Sequence, residues 1–176
     1  MEAKTFGVAV APVLAALAVC LSDTGTINPL VALLTALLAI LMQAITNMEN
    51  DSGYSKRKAE RTNRKGLPRS TSLGLLTVKE VEIGIAVAAV MAIAITAYFI
   101  YLTHWFFLLI TVASIAAAYL YMGGPRPIAY SPYGEIVVFL FFGLVATAGT
   151  YYLQVQTVSV TILLVGCALG LIAAAV

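Results

Sequence analysis

Apolar residues run along this chain in long blocks, not at the short periods of amphipathic elements. Six blocks stand out: Thr5–Ser22, Pro29–Thr46, Ile83–Thr103, Trp105–Met122, Ile136–Leu153 and Thr157–Val176. Each approaches the ~20 apolar residues that a helix needs to cross a bilayer. No Asp, Glu, Lys or Arg interrupts any of them. The pattern predicts an all-α fold, a polytopic transmembrane helical bundle of six spans forming one membrane domain over 1–176. Three connections are short (Ser22–Asn28, Thr103–His104 and Gln154–Gln156), and two polar loops, 47–82 and 123–135, are longer.

Composition narrows the class further. Of 176 residues, 61% are hydrophobic and 10% charged, against about 25% charged in soluble domains. Mean hydropathy is +0.98. Such a chain cannot cover a water-facing surface, which excludes both a soluble globule and a disordered chain. The lipid bilayer is its first partner, and a net charge of +2 calls for no nucleic acid. Distribution matters more than total: seven of the ten Lys and Arg lie between Lys56 and Arg69, and Lys79 brings loop 47–82 to eight. Arg126 lies in the second long loop, and the three short connections have none. Positive charge stays on the cytoplasmic side, so an integral protein of the plasma membrane with both long loops cytoplasmic is expected. Lys4 is the one basic residue before the first apolar run, and no cleavage pattern follows it, so that run reads as a span and not a removable leader. Cys20 and Cys167 sit in apolar runs and read as small core residues. His104, Tyr151 and Tyr152 read as residues of the membrane boundary on the opposite side.

Candidate chemistry concentrates where the second span meets the basic loop. If that helix continues, Asn47 and Asp51 lie four residues apart on one face, with Asn50 beside them. Carboxylate and amide oxygens are the hard ligands Mg²⁺ takes, together with water and substrate phosphates. Arg64, Lys65 and Arg69 follow and suit a polyanion. A polar helix cap followed by a topogenic basic loop accounts for the same residues more simply. What tells against that reading is the acid and amide start, which a topogenic loop does not need.

Asn47-x-x-Asn50-Asp51, followed by Arg64-Lys65-Gly-Leu-Pro-Arg69, resembles the first motif region of the UbiA superfamily of intramembrane prenyltransferases. A second block runs from Tyr121-Met-Gly-Gly-Pro-Arg-Pro-Ile-Ala-Tyr130 through Gly134-Glu135 to Gly149-Thr-Tyr-Tyr-Leu-Gln154. It is similar to the 1,4-dihydroxy-2-naphthoate polyprenyltransferases of menaquinone synthesis, as is the start, Lys4-Thr5 with Ala11-Pro12-Val13. The resemblance implies nine spans around a central cavity and Mg²⁺-dependent transfer of a polyprenyl group from polyprenyl diphosphate to an aromatic acceptor, whose attacked carbon loses its carboxylate. It also implies two acidic metal motifs, of which this chain carries the first, and a C-terminal part that would complete the site.

Roles follow from that resemblance. Asp51 is catalytic and, with Asn47, Asn50 and Glu60, holds metal. Arg64, Lys65 and Arg69 meet the diphosphate. Arg126 faces the diphosphate or the acceptor's carboxylate, or is a lone topogenic charge. Glu135 steers the acceptor or caps a helix N-terminus. Tyr119, Tyr121, Tyr130 and Tyr133 form an interfacial belt, or stack on the acceptor ring or an allylic cation. Phe139, Phe141 and Phe142 pack the core or line the space for the tail. Gly166-x-x-x-Gly170-x-x-x-Ala174 is a ridge for close helix packing. One departure stands out: Tyr54 occupies the motif's middle acidic place. That substitution leaves open a non-catalytic bundle that binds a lipid diphosphate or a partner. A transporter is disfavoured, because no ionisable group lies within a span.

Overall fold

The computed structural model describes residues 4–56 and 69–175. The described residues are helices and connections without a strand. The helices are α1 (Lys4–Thr24), α2 (Pro29–Lys56), α3 (Val78–Leu102), α4 (Phe106–Met122), α5 (Gly134–Val155) and α6 (Val160–Ala174). All six apolar blocks are therefore helical. By length and composition α1, α2, α3 and α5 reach membrane-spanning size, while α4 and α6 are shorter apolar helices.

Local chemistry sets the boundaries. Pro29 opens α2 at the position where its missing N–H costs nothing. The Asn28 side chain caps that turn, accepting from the N–H groups of Leu30 and Val31 at 3.1 and 3.2 Å. Thr77 and Glu80 close a reciprocal capping box at the start of α3: Thr77 Oγ1 accepts the Glu80 N–H, and Glu80 Oε2 accepts the Thr77 N–H at 2.7 Å. Ser159 caps α6 by accepting the Ile162 N–H at 3.2 Å.

These caps correct the loop expected over 47–82. α2 continues to Lys56 and α3 starts at Val78, so both ends of that polar segment are helical. With 28 residues, α2 is about 42 Å long, longer than a hydrocarbon core of ~30 Å. Its last turns are polar because they project beyond the apolar layer. Lys56 meets Glu82 there at 2.5 Å, joining the end of α2 to the start of α3.

Packing builds three apolar clusters, one of which, Val31, Phe99, Phe107 and Leu153, joins α2, α3, α4 and α5. Leu41 and Ile45 of α2 pack with Ala88 of α3 and Ala118 of α4. A buried hydroxyl pair, Thr96 with Thr111 at 2.7 Å, adds a polar link between α3 and α4. On the other side Ala16 and Cys20 of α1 pack with Tyr151 of α5 and Ile162 of α6. Helices α5 and α6 approach most closely where α5 carries a π-helical stretch, Phe139–Val145. A Cβ added to Gly143 would lie 2.6 Å from both the Gly166 carbonyl oxygen and Gly170 Cα. The small-residue ridge therefore does what its spacing suggests.

Tyr151 departs from expectation. It is 4% exposed, and its hydroxyl donates to Asp23 at 2.8 Å, so it is a buried cross-link and not a belt residue. Tyr152 packs against Phe106 and Phe107.

Candidate functional site

Within the bundle lies a cavity of about 320 Å³, walled by α1, α2, α4 and α5 and touched by Ala173 of α6. Along α2 its lining residues are Thr35, Leu38, Ala39, Met42, Gln43 and Thr46, the i, i+3, i+4 stripe of one helix face. Phe107, Phe141, Phe142 and Leu153 add apolar wall, and Tyr121 stands among the lining residues at the end nearest the long loops. The hydroxyls of Thr35, Ser114 and Thr150 are turned back onto carbonyls one turn earlier in their own helices. The interior is thereby left largely apolar, suited to a hydrocarbon chain.

Toward the long loops the α2 stripe becomes polar, beginning with Gln43 at the cavity wall. Gln43, 5% exposed, donates from Nε2 to Asn47 Oδ1 at 3.1 Å. Asn47 Nδ2 donates to Thr5 Oγ1 at 3.0 Å, which ties the first turn of α1 to α2. Asn50 is half-buried on the next turn. Asp51 receives the returning chain: its Oδ2 accepts the Ser70 N–H at 3.1 Å, and its Oδ1 accepts the Thr71 N–H at 3.3 Å and the Thr71 hydroxyl. One turn further, the Arg69 guanidinium carbon lies 3.6 Å from the centre of the Tyr54 ring. Tyr130 meets that ring edge-on, centroids 6.5 Å apart.

The turn after α4 closes the same end. Gly124 adopts φ +67°, a left-handed conformation that glycine takes without strain. Gly123 is needed for space, because a Cβ there would run into the Tyr119 carbonyl oxygen and lie 2.6 Å from Glu49 Oε1. Glu49 itself is 2% exposed. Arg126 and Glu135 are exposed on this turn and in the first turn of α5. Tyr119, Tyr130 and Tyr133 are exposed, as an interfacial belt would be, whereas Tyr121 lines the cavity.

The structure thus brings Asn47, Asp51, Arg69 and Tyr130 to one end of the bundle, with Asn50, Arg126 and Glu135 on the same elements. Glu60, Arg64 and Lys65 lie outside the described residues. Among the described residues no group of three His, Cys, Asp or Glu is arranged as a metal cage. Among the described residues, Asp51 Oδ1 accepts from two donors and Oδ2 from one, which leaves Oδ2 a second lone pair. A single carboxylate oxygen fits a Mg²⁺ ion that draws most of its ligands from water and phosphate. Sequence reasoning missed Gln43, Thr5 and Thr71. Gln43 was the visible one, an amide inside an otherwise apolar run.

The chain matches the UbiA prenyltransferase family over residues 9–176. It is 34% identical over 158 residues to a 1,4-dihydroxy-2-naphthoate octaprenyltransferase of Escherichia coli (strain K12), covering 86% of this chain and 51% of that protein. A protein of the same name from Haemophilus influenzae (strain ATCC 51907 / DSM 11121 / KW20 / Rd) is 31% identical over 155 residues, 85% of this chain and 50% of that one. The chain spans about half the length of these curated relatives. No solved structure matches it. Because the family match runs from the first helix to the last, the chain belongs to the UbiA prenyltransferase family.

Proposed function

We propose that this chain takes part in transferring a polyprenyl group from polyprenyl diphosphate to an aromatic acceptor such as 1,4-dihydroxy-2-naphthoate, with the long loops on the cytoplasmic side of the plasma membrane. One observation carries the reading: an apolar cavity within the bundle is lined along α2 as far as Thr46, and acid, amide, guanidinium and tyrosine groups gather on the following turns of the same helix. The prenyl tail lies along the α2 stripe, out of water. Arg69 donates to the diphosphate, joined by Arg64 and Lys65 and faced by Arg126. Withdrawal of charge from the leaving diphosphate breaks the bond from its oxygen to the allylic carbon. Water would quench the resulting cation, and an apolar wall excludes it. Tyr130 and Glu135 border the place where the acceptor ring would enter.

Mg²⁺ is part of the proposal. Asp51 would hold it through its spare lone pair, with Asn50, Asn47 and Glu60 as further oxygen donors. When bound it would supply positive charge to the diphosphate.

The test is binding of geranylgeranyl diphosphate to the chain in lipid nanodiscs, with and without Mg²⁺. Saturable, Mg²⁺-strengthened binding is expected. Ser114→Phe, which fills the cavity, should weaken the prenylated ligand at least tenfold while leaving inorganic diphosphate within twofold. Equal loss of both ligands, or of neither, would show that the cavity does not hold the tail.

A further inference from the structure

We propose that Tyr54 is a positioning residue, whose ring face holds the Arg69 guanidinium ready for the diphosphate. This rests on the reading above and gives a role to the tyrosine that stands where an acid was expected. The geometry supports it in three ways. Arg69 is stacked on the ring at 3.6 Å. Tyr130, edge-on at 89°, braces the ring from the α4–α5 turn. Asp51, three residues before Tyr54 on the same helix, grips the N–H groups of Ser70 and Thr71 and so fixes the backbone next to Arg69.

Stacking suits this task because it uses the face of the guanidinium. The N–H donors lie in the guanidinium plane, which a ring stacked on its face does not block. A carboxylate at position 54 would act differently, competing with a diphosphate for those same donors. A long side chain already held in place also loses less rotamer freedom when the ligand arrives. The tyrosine thus exchanges one oxygen ligand for a preorganised cation.

The experiment measures inorganic diphosphate and geranylgeranyl diphosphate affinities of the whole chain in nanodiscs, without Mg²⁺, for Tyr54→Phe, Tyr54→Leu and Tyr54→Asp. Phe keeps the aromatic face and should stay within twofold of the parent. Leu removes the face and should weaken binding about 3- to 30-fold, the range of a cation–π contact. Asp should weaken it at least as much. In an Arg69→Gln background the Leu change should have no further effect. The Arg69 side-chain proton resonances, shifted upfield by the ring, should keep that shift in the Phe variant and lose it in the Leu variant. Arg69→Lys, which keeps the charge without the planar face, should resemble the Leu variant and guards against a Leu variant that fails to fold. Leu and Phe variants that bind alike, or a Leu effect that persists without Arg69, would overturn the proposal. If the parent chain binds no diphosphate while the upfield shift is present, the diphosphate reading itself is at fault and the ligand half of this proposal falls with it.

Discussion

The Asp51 side chain joins two segments nineteen and twenty residues apart, so the cost of removing it can be worked from its bonds. It accepts the N–H groups of Ser70 and Thr71 at 3.1 and 3.3 Å, and the Thr71 hydroxyl as well. A hydrogen bond to a charged group contributes about 1.5–3 kcal/mol. The three share one half-buried carboxylate, so they do not add, and water replaces part of what is lost. A net 2–3 kcal/mol for Asp51→Ala is a reasonable order of magnitude on that basis. Amide hydrogen exchange in nanodiscs measures it directly, because protection at Ser70 and Thr71 reports opening of this clasp. At about 1.4 kcal/mol per decade the protection of these two amides should fall roughly 30- to 150-fold. The amides of α4 should be unaffected. Thr71→Val deletes one acceptor–donor pair and should cost about 1 kcal/mol. Asp51→Asn should fall between Thr71→Val and Asp51→Ala, because an amide nitrogen turned toward either N–H cannot accept. Unchanged protection in Asp51→Ala would refute the clasp, and with it the idea that Asp51 presets Arg69.

Two other predictions follow from packing and topology. Gly143→Ala pushes a methyl to 2.6 Å from Gly170 Cα and should destabilise the α5–α6 crossing by about 1–3 kcal/mol, read as a lower Tm in detergent; Gly7→Ala, which meets nothing within 4 Å, should change stability by no more than about 1 kcal/mol. An impermeant thiol reagent applied to intact cells should label Val158→Cys, on the α5–α6 connection, and spare Asn63→Cys; the reverse pattern would invert the orientation inferred from the basic loop.

Much of the fold was legible because a bilayer demands uninterrupted apolar runs, and all six runs are helices. Hydropathy reads the lipid and not the helix, however. Hence α2 was expected to stop near Thr46 and continues to Lys56. The start of α3 was written in Thr77-Val-Lys-Glu80, a capping box that lies outside the apolar run. Nothing in the period of residues 139–145 marks a π-helical stretch. Its glycine contact with α6 could be read from one side only, in Gly166 and Gly170. The site was legible as a cluster along α2, since Asn47, Asp51 and Tyr54 follow helical spacing. Tyr130 was named as a candidate but not its contact with Tyr54, and Thr5, Ser70 and Thr71 were not legible, because they come from two other segments brought together only by folding.

The two ends of the bundle use their polar groups in opposite ways, and this contrast argues for direction in the site. At the α1–α2 end, Asp23 is bound by Tyr151 at 2.8 Å. Gln154 both accepts the Asn28 N–H and donates to the Asn28 carbonyl. These bonds sew α5 to the α1–α2 connection and hold the walls together there. At the other end Gln43, Asn47 and Thr5 join α1 to α2, and beyond them Asp51 and Tyr54 of α2 meet Ser70, Arg69 and Tyr130 from segments that return from the long loops. A charged headgroup is most cheaply received where water still reaches and fixed cations wait; its tail is most cheaply received where the hydroxyls are already turned back onto their own helices. The apolar cavity runs along α2 to Thr46, and Asn47, Asp51 and Tyr54 follow on the same helix, so under the proposed reading a ligand with an anionic head and an apolar tail would lie with its head toward Arg69.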